Sequence, residues 1–248
     1  FELSEASSTP VMAEVRIRAC HMRGRFAARD NIRPAISTKT PLTEPNFDYA
    51  RICLPPSTYV QEHDKMNRRF PAARRFILER GLNELLAGDL DEVGIIVQGG
   101  HTNTLLRALS RLGLADSFGL SRIPVLVLNV TYPLVPEEIT RFCAGKRAVL
   151  VVEEGNPDYI EQAIAATLRE ADLNTKVVGK KVLPMAGEYT AEVVLKGVAK
   201  FLEGAVPRGV DLEQVGRVLA ASLSPGERSR ALIGATLPPR PPGFCTGC

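Results

Sequence analysis

Between Val93 and about residue 203, short and wholly apolar runs alternate with segments whose apolar residues recur every three or four positions. The runs are Val93-Gly94-Ile95-Ile96-Val97, Val125-Leu126-Val127-Leu128 and Ala148-Val149-Leu150-Val151-Val152, with Lys176-Val177-Val178-Gly179 as a shorter, more polar fourth. A strand with one wet face alternates apolar and polar residues; a run without polar residues needs cover on both faces. The intervening segments supply that cover. Leu105, Ala108, Leu109 and Leu112 fall on one side of a helix, as do Ile160, Ala163, Ile164, Thr167 and Leu168, and then Val193, Val194, Gly197, Val198, Phe201 and Leu202. A shorter helix is expected from about Pro136. The pattern predicts an α/β fold: an open, doubly wound, mainly parallel sheet of about four strands joined by right-handed crossovers. A long helix over about 68–87 is expected to lead into the first strand.

Composition suits such a core, with 45% hydrophobic and 24% charged residues among 248. No apolar run approaches the ~20 residues that span a bilayer, so no membrane partner is expected. Arginines cluster at 16–33 and 68–80 in a chain of net charge +3. They read as solvated surface or as surface facing a neighbouring domain. Nucleic acid is not expected as a partner: there is no Trp, only 6% aromatic residues, and no zinc-finger or RNA-binding signature. The five cysteines Cys20, Cys53, Cys143, Cys245 and Cys248 are odd in number and irregular in spacing. They form no evident disulfide framework, which points to a reducing, cytoplasmic setting.

The flanks differ from the centre. Residues 1–34 are mixed, and 35–67 read as an extended linker rich in Pro and Thr, with Pro41, Pro45, Pro55 and Pro56. Residues 68–203 form the α/β domain. Residues 204–248 return to Gly and Pro, ending in Leu237-Pro238-Pro239-Arg240-Pro241-Pro242-Gly243, which favours extended connector geometry. With Phe1 first and Cys248 last, both ends read as cut from something longer.

In an open parallel sheet, ligands and partners gather at the carboxyl ends of the strands. Four loops qualify. Gly99 and Gly100 turn the chain off the first strand, and Thr102 or Asn103 is placed to cap the next helix. That loop reads equally as a phosphate cradle at a helix N-terminus, a domain contact, or a tight structural turn; it lacks the dinucleotide fingerprint and the Walker lysine. Thr131, Tyr132 and Pro133 form the second loop, where Pro133 and Pro136 bracket a rigid turn. Glu153 and Glu154 end the third strand. Paired acids there can hold a metal or act as a base, but capping the next helix and pairing with arginines is the favoured reading. Gly187 and Glu188 close the fourth loop, with Glu188 expected at the start of the last helix, where an acid suits the helix dipole. His21, His63 and His101 share no metal-ligand spacing with a cysteine.

Taken in order, these segments resemble the alpha subunit of indolepyruvate:ferredoxin oxidoreductases, members of the thiamine diphosphate-dependent 2-oxoacid:ferredoxin oxidoreductase family. Phe1-Glu2-Leu3-Ser4-Glu5, Thr9-Pro10-Val11-Met12 and Arg16-Ile17-Arg18-Ala19-Cys20-His21 resemble the end of the family's pyrimidine-binding thiamine domain. Thr131-Tyr132-Pro133-Leu134, Val151-Val152-Glu153-Glu154 and Leu183-Pro184-Met185-Ala186-Gly187-Glu188 resemble its middle domain, of the transketolase C-terminal type. Arg240-Pro241-Pro242-Gly243-Phe244-Cys245-Thr246-Gly247-Cys248 resembles the start of its diphosphate-binding domain. The run after His21 is longer than the archaeal pattern, which leaves the choice of 2-oxoacid open.

The resemblance implies a parent enzyme that decarboxylates a 2-oxoacid, an arylpyruvate such as indolepyruvate, passes electrons to ferredoxin and the acyl group to coenzyme A, and forms a homo-oligomer. It implies thiamine diphosphate, magnesium and a [4Fe–4S] cluster in that parent, with Cys245 and Cys248 as a partial ligand set. The sequence contains no Gly-Asp-Gly…Asn run for magnesium and diphosphate, and no catalytic residue is assigned. The chain is therefore expected to be a non-catalytic central domain, inactive alone and binding none of these cofactors, with the other domains of the same polypeptide as its partners. A free-standing nucleotide- or coenzyme A-binding module is the alternative.

Overall fold

A computed structural model of the chain describes residues 1–15, 48–49, 52–116 and 118–233. Cys20, His21, the arginines from Arg16 to Arg33, the proline-rich tail and the pair Cys245 and Cys248 lie outside the described residues.

The apolar runs are strands of one sheet. β1 is Glu84–Leu86, β2 Val93–Gln98, β3 Val125–Leu128, β4 Ala148–Val152 and β5 Lys176–Val178, in the order β1-β3-β2-β4-β5. The last four pair in parallel, while β1 runs antiparallel along the outer edge of β3. The open, doubly wound, mainly parallel sheet is thus as the sequence predicts. β1 was hidden from that reading: it has three residues, and its edge position leaves Glu84 and Leu85 exposed.

Pleating divides the apolar runs between two cores. Val93, Ile95, Val97, Val125, Val127, Leu150 and Val152 face α4 (Thr102–Arg111) and α7 (Ala191–Ala205). Ile96, Leu126, Leu128, Val149 and Val151 face α5 (Pro136–Cys143) and α6 (Tyr159–Glu170). Each helix turns in the stripe its periodicity marks: Leu105, Ala108 and Leu109 on α4, Ile160, Ile164 and Leu168 on α6, and Val194, Val198, Phe201 and Leu202 on α7 are all buried. Ala163 is exposed, because the buried stripe of α6 is narrower than the apolar pattern.

Three elements depart from expectation. The chain is helical from Ser57: α2 (Ser57–Asp64) runs through a π-helical turn (Lys65–Arg69) into α3 (Phe70–Arg80). The extended reading of 35–67 therefore fails for its last residues; Pro55 and Pro56 precede the first helical position, where a missing N–H costs nothing. The helix expected to reach residue 87 stops at Arg80, because Gly81 adopts a left-handed φ of 56° and its N–H closes the last turn. Regular structure also continues past residue 203. After Val206 and Gly209, α8 (Leu212–Ile233) begins, with Val215 buried in the first core and Leu212, Val218 and Leu219 packed beside it.

Charged groups at the amino ends of the strands hold the turn between α7 and α8 in place. Arg147 donates to the carbonyls of Ala205 and Val206, and Glu92 accepts from both Arg147 and Arg208. Arg122 pairs with Asp89 at 3.0 Å and donates to Gly209 O. Residues 204–219 are thus packed onto the sheet. At the other end, α1 (Glu2–Ser7) lies along α3, with Glu2 3.2 Å from Arg80.

Replacing Val215 by Asp would set a carboxylate against the first core. Urea unfolding is expected to show a loss of at least about 2 kcal/mol. A loss below about 0.5 kcal/mol, as at a tolerant connector, would remove α8 from the domain.

Candidate functional site

The parallel strands run β3-β2-β4-β5, so the chain steps one way from β2 to β3 and then crosses back to β4. The sheet's switch point lies between the carboxyl ends of β2 and β4, the place where folds of this winding bind ligands.

Here that crevice is filled by the protein's own residues. Gln98, the last residue of β2, accepts a hydrogen bond from Glu154 N at 2.9 Å and so ties the two strand ends together. His101 is buried behind it, with Nε2 3.5 Å from a Glu154 carboxylate oxygen. Tyr189 lies across the top; its ring centroid is 5.8 Å from that of His101, and its N–H donates to Glu154 at 2.5 Å. The segment 179–190, between β5 and α7, therefore passes over the switch point as a strap.

Lys180 fastens the strap at its near end. Its ammonium donates to Glu153 O at 2.5 Å, Gly155 O at 2.8 Å and the Tyr189 hydroxyl at 2.8 Å. Its backbone N–H donates to Glu161. The Tyr189 hydroxyl in turn donates to Pro184 O at 2.6 Å, which crosses the strap's bend. Burial holds the Lys180 ammonium below the ordinary lysine value, against the pull of Glu153, Glu161, Asp158 and Glu154. Burial pushes the Tyr189 phenol up, helped by the same acidic neighbours Glu153, Glu154 and Glu161.

The four sequence-predicted loops fare differently. Gly99 packs against Asn129 so closely that a Cβ would fall 2.5 Å from its side-chain oxygen. Gly99–His101 form a 3-10 turn, and α4 begins at Thr102 without a side-chain cap. The capping role expected of Thr102 or Asn103 is not found: the Thr102 hydroxyl donates to Gly99 O, and Asn103 is exposed. Gly100 is exposed beside it. In the second loop, Pro133 is buried while Thr131 and Tyr132 are exposed, and Tyr132 stands edge-on to Phe70 at 5.5 Å.

Of the paired acids, Glu153 is buried and spends its carboxylate on the α6 N-terminus, accepting from Ile160 N and Glu161 N. This is the helix-capping reading, achieved from seven residues away. The cation at the Glu153 backbone is Lys180. Gly187 and Glu188 are exposed, and Glu188 does not start the helix, because Thr190 is the N-cap of α7 and accepts from Val193 N. No group of three or more His, Cys, Asp or Glu among the described residues could hold a metal ion. Cys143 is buried, which raises its thiol to about 12 and leaves it inert.

Lys180, Tyr189 and His101 are what sequence reasoning missed as a group. Lys180 stands two residues past β5, and the strand-end rule that selected the other loops could have included it.

No protein-family model matches the chain. Over 255 residues, covering the whole chain, it is 31% identical to indolepyruvate oxidoreductase subunit IorA of Methanothermobacter thermautotrophicus. The chain is related to the IorA subunits of indolepyruvate oxidoreductases. Similar relatives carrying the same name come from Methanothermobacter marburgensis, at 29% identity, and Pyrococcus abyssi, at 23%, again across the whole chain. The chain spans 35% of the length of each of these IorA subunits. Among solved structures, a 2-oxoglutarate:ferredoxin oxidoreductase from Magnetococcus marinus aligns with 58% of the chain and 23% of its own, at 20% identity and a TM-score of 0.41. A split-gene transketolase aligns with 57% of the chain and 42% of its own, at 21% identity and a TM-score of 0.33. At those scores neither adds to the fold reading, which rests on strand order and pairing. No helix among the described residues is long and apolar enough to cross a membrane.

Tyr189 makes stability fall on the alkaline side. Unfolded, a phenol loses its proton near pH 10; folded, this one holds it to higher pH. The unfolded state then binds fewer protons above pH 10, and stability declines as pH rises. The depressed Lys180 acts in the opposite sense, its penalty lifting as pH approaches the ordinary lysine value. Tyr189→Phe is expected to flatten the decline seen by urea unfolding between about pH 9 and about pH 11. An equally steep decline in the variant would show that Tyr189 does not carry it.

Proposed function

We propose that the chain is a non-catalytic central domain of a thiamine diphosphate-dependent 2-oxoacid:ferredoxin oxidoreductase subunit, bracing neighbouring parts of the same polypeptide. The observation that carries this reading is the closed switch point. A nucleotide or coenzyme entering by the usual route would have to displace Tyr189 and break the contacts made by Gln98, Glu154 and Lys180. The exposed rim of Thr131, Tyr132, Gly187 and Glu188 is the surface offered to neighbouring domains; Glu153, being buried, takes no part in it.

The parent reaction, on this reading, is decarboxylation of indolepyruvate or another arylpyruvate to an acyl-coenzyme A, with ferredoxin as electron acceptor. Its support is the kinship with subunits named for indolepyruvate. No group of three or more His, Cys, Asp or Glu among the described residues fits the parent's magnesium. Cys245 and Cys248, read as partial [4Fe–4S] ligands, belong to the same proposal. The localisation is read as cytoplasmic.

Titration calorimetry of the 248-residue chain with thiamine diphosphate and with coenzyme A is expected to give no binding heat for either. Micromolar binding of coenzyme A would replace this reading with that of a coenzyme-binding module at Gly99 and Gly100. Oxidation of indolepyruvate by the isolated chain would overturn the non-catalytic assignment.

A further inference from the structure

The strap has a second side. Lys181, Val182, Leu183 and Pro184 line a concavity of about 330 Å3 together with Val193, Lys196 and Lys200 of α7. Its lining joins the aliphatic side chains of Val182, Leu183 and Val193 to those of three lysines. Lys196 and Lys200 stand one helical turn apart, an arrangement that like charges disfavour by a few tenths of a kcal/mol. Lys196 pairs with Glu192 at 2.7 Å, whereas Lys181 and Lys200 make no ion pair with a described residue. Met185, 43% exposed, follows Pro184 in the strap and adds an adaptable apolar side chain close by.

The groove is built rigidly. Leu183 is buried against Gly197, where a Cβ would collide with the leucine side chain, so strap and helix are in close contact. Lys180 and Tyr189 fix the strap on either side of residues 181–184, and Pro184 itself accepts from Tyr189. Little ordering would accompany docking, which favours affinity.

We propose that this groove is a docking surface for an acidic segment of a protein partner, one that presents an apolar side chain between carboxylates. The aliphatic lining takes the anchor, and Lys181 and Lys200, whose ammonium groups have no acid of their own among the described residues, take the acids around it. That is the anatomy of a protein interface, with an apolar centre and a charged rim. A small ligand is the poorer fit. The concavity is open along one side, and its lining offers ammonium groups without the converging fixed donors that orient a bound small molecule. The inference concerns a face other than the switch point, and it stands whether or not the parent reaction is as proposed.

The test is an NMR titration of the 15N-labelled 248-residue chain with the end-blocked peptide Glu-Glu-Leu-Glu-Glu at low ionic strength. Saturable shifts are expected at the amides of Lys181, Val193, Lys196 and Lys200, weakening as salt is added. The double variant Lys181→Glu, Lys200→Glu is expected to bind at least about 10-fold more weakly. The exposed pair Arg107→Glu, Arg111→Glu on α4 changes net charge equally and is expected to leave binding within about 2-fold. Exchanging the central Leu of the peptide for Ser is expected to weaken it severalfold. No saturable shift, equal loss in both double variants, or equal binding of Lys-Lys-Leu-Lys-Lys would overturn the proposal. Hexanoate binding as tightly as the peptide would make the groove a small-anion site and overturn the assignment to a protein partner.

Discussion

Two adjacent carboxylates at the end of β4 organise the rim of this sheet. Glu153 turns inward and caps α6; Glu154 turns outward, meets His101 and receives the Tyr189 amide. Lys180 stands over their backbone and donates to the carbonyl of the first. A partly buried ammonium is best held when its protons all find acceptors, and Glu153 O, Gly155 O and the Tyr189 hydroxyl supply three. The strap's path follows from this arrangement: loosening Lys180 or Tyr189 would leave desolvated oxygens behind.

The rest of the domain is built to present that rim. A mainly parallel sheet with helices on both faces aligns its strand ends, and the side chains of β2 and β4 alternate strictly between two cores. The opposite edge is fastened by arginines. Arg147, Arg208 and Arg122 draw the turn between α7 and α8 beneath the amino ends of the strands. Both ends of the strands are thus covered by chain that follows β5, which makes segments 179–190 and 204–219 integral to the fold.

The fold was legible because unbroken apolar runs such as Ala148–Val152 and one-sided stripes such as Leu105, Ala108 and Leu109 leave few ways to be buried. β1 was not, since three largely exposed residues at an edge carry no period. Nor was α8, which among the described residues buries Val215 and whose sequence contains Pro225 and Gly226. At the rim, sequence reading selected the loops but not their bonding. Glu153 as a helix cap was foreseen in kind; its partners lie seven and eight residues ahead. The union of Gln98, His101, Glu154, Lys180 and Tyr189 depends on strand order, with β2 beside β4, and no local spacing encodes that order. The likeness to part of the IorA subunits, extending over the whole of this chain, agrees with the collinear motifs.

The central claim is that the strap closes the switch point as a fixed part of the native structure. Amide hydrogen exchange under native conditions reads it directly. The account expects the N–H groups of Tyr189, Glu154 and Lys180 to be protected nearly as well as those of β2 and β4, because each is bonded within the domain. Exchange at these three amides as fast as at exposed Ala186 and Gly187 would contradict it, leaving the crevice open to a ligand.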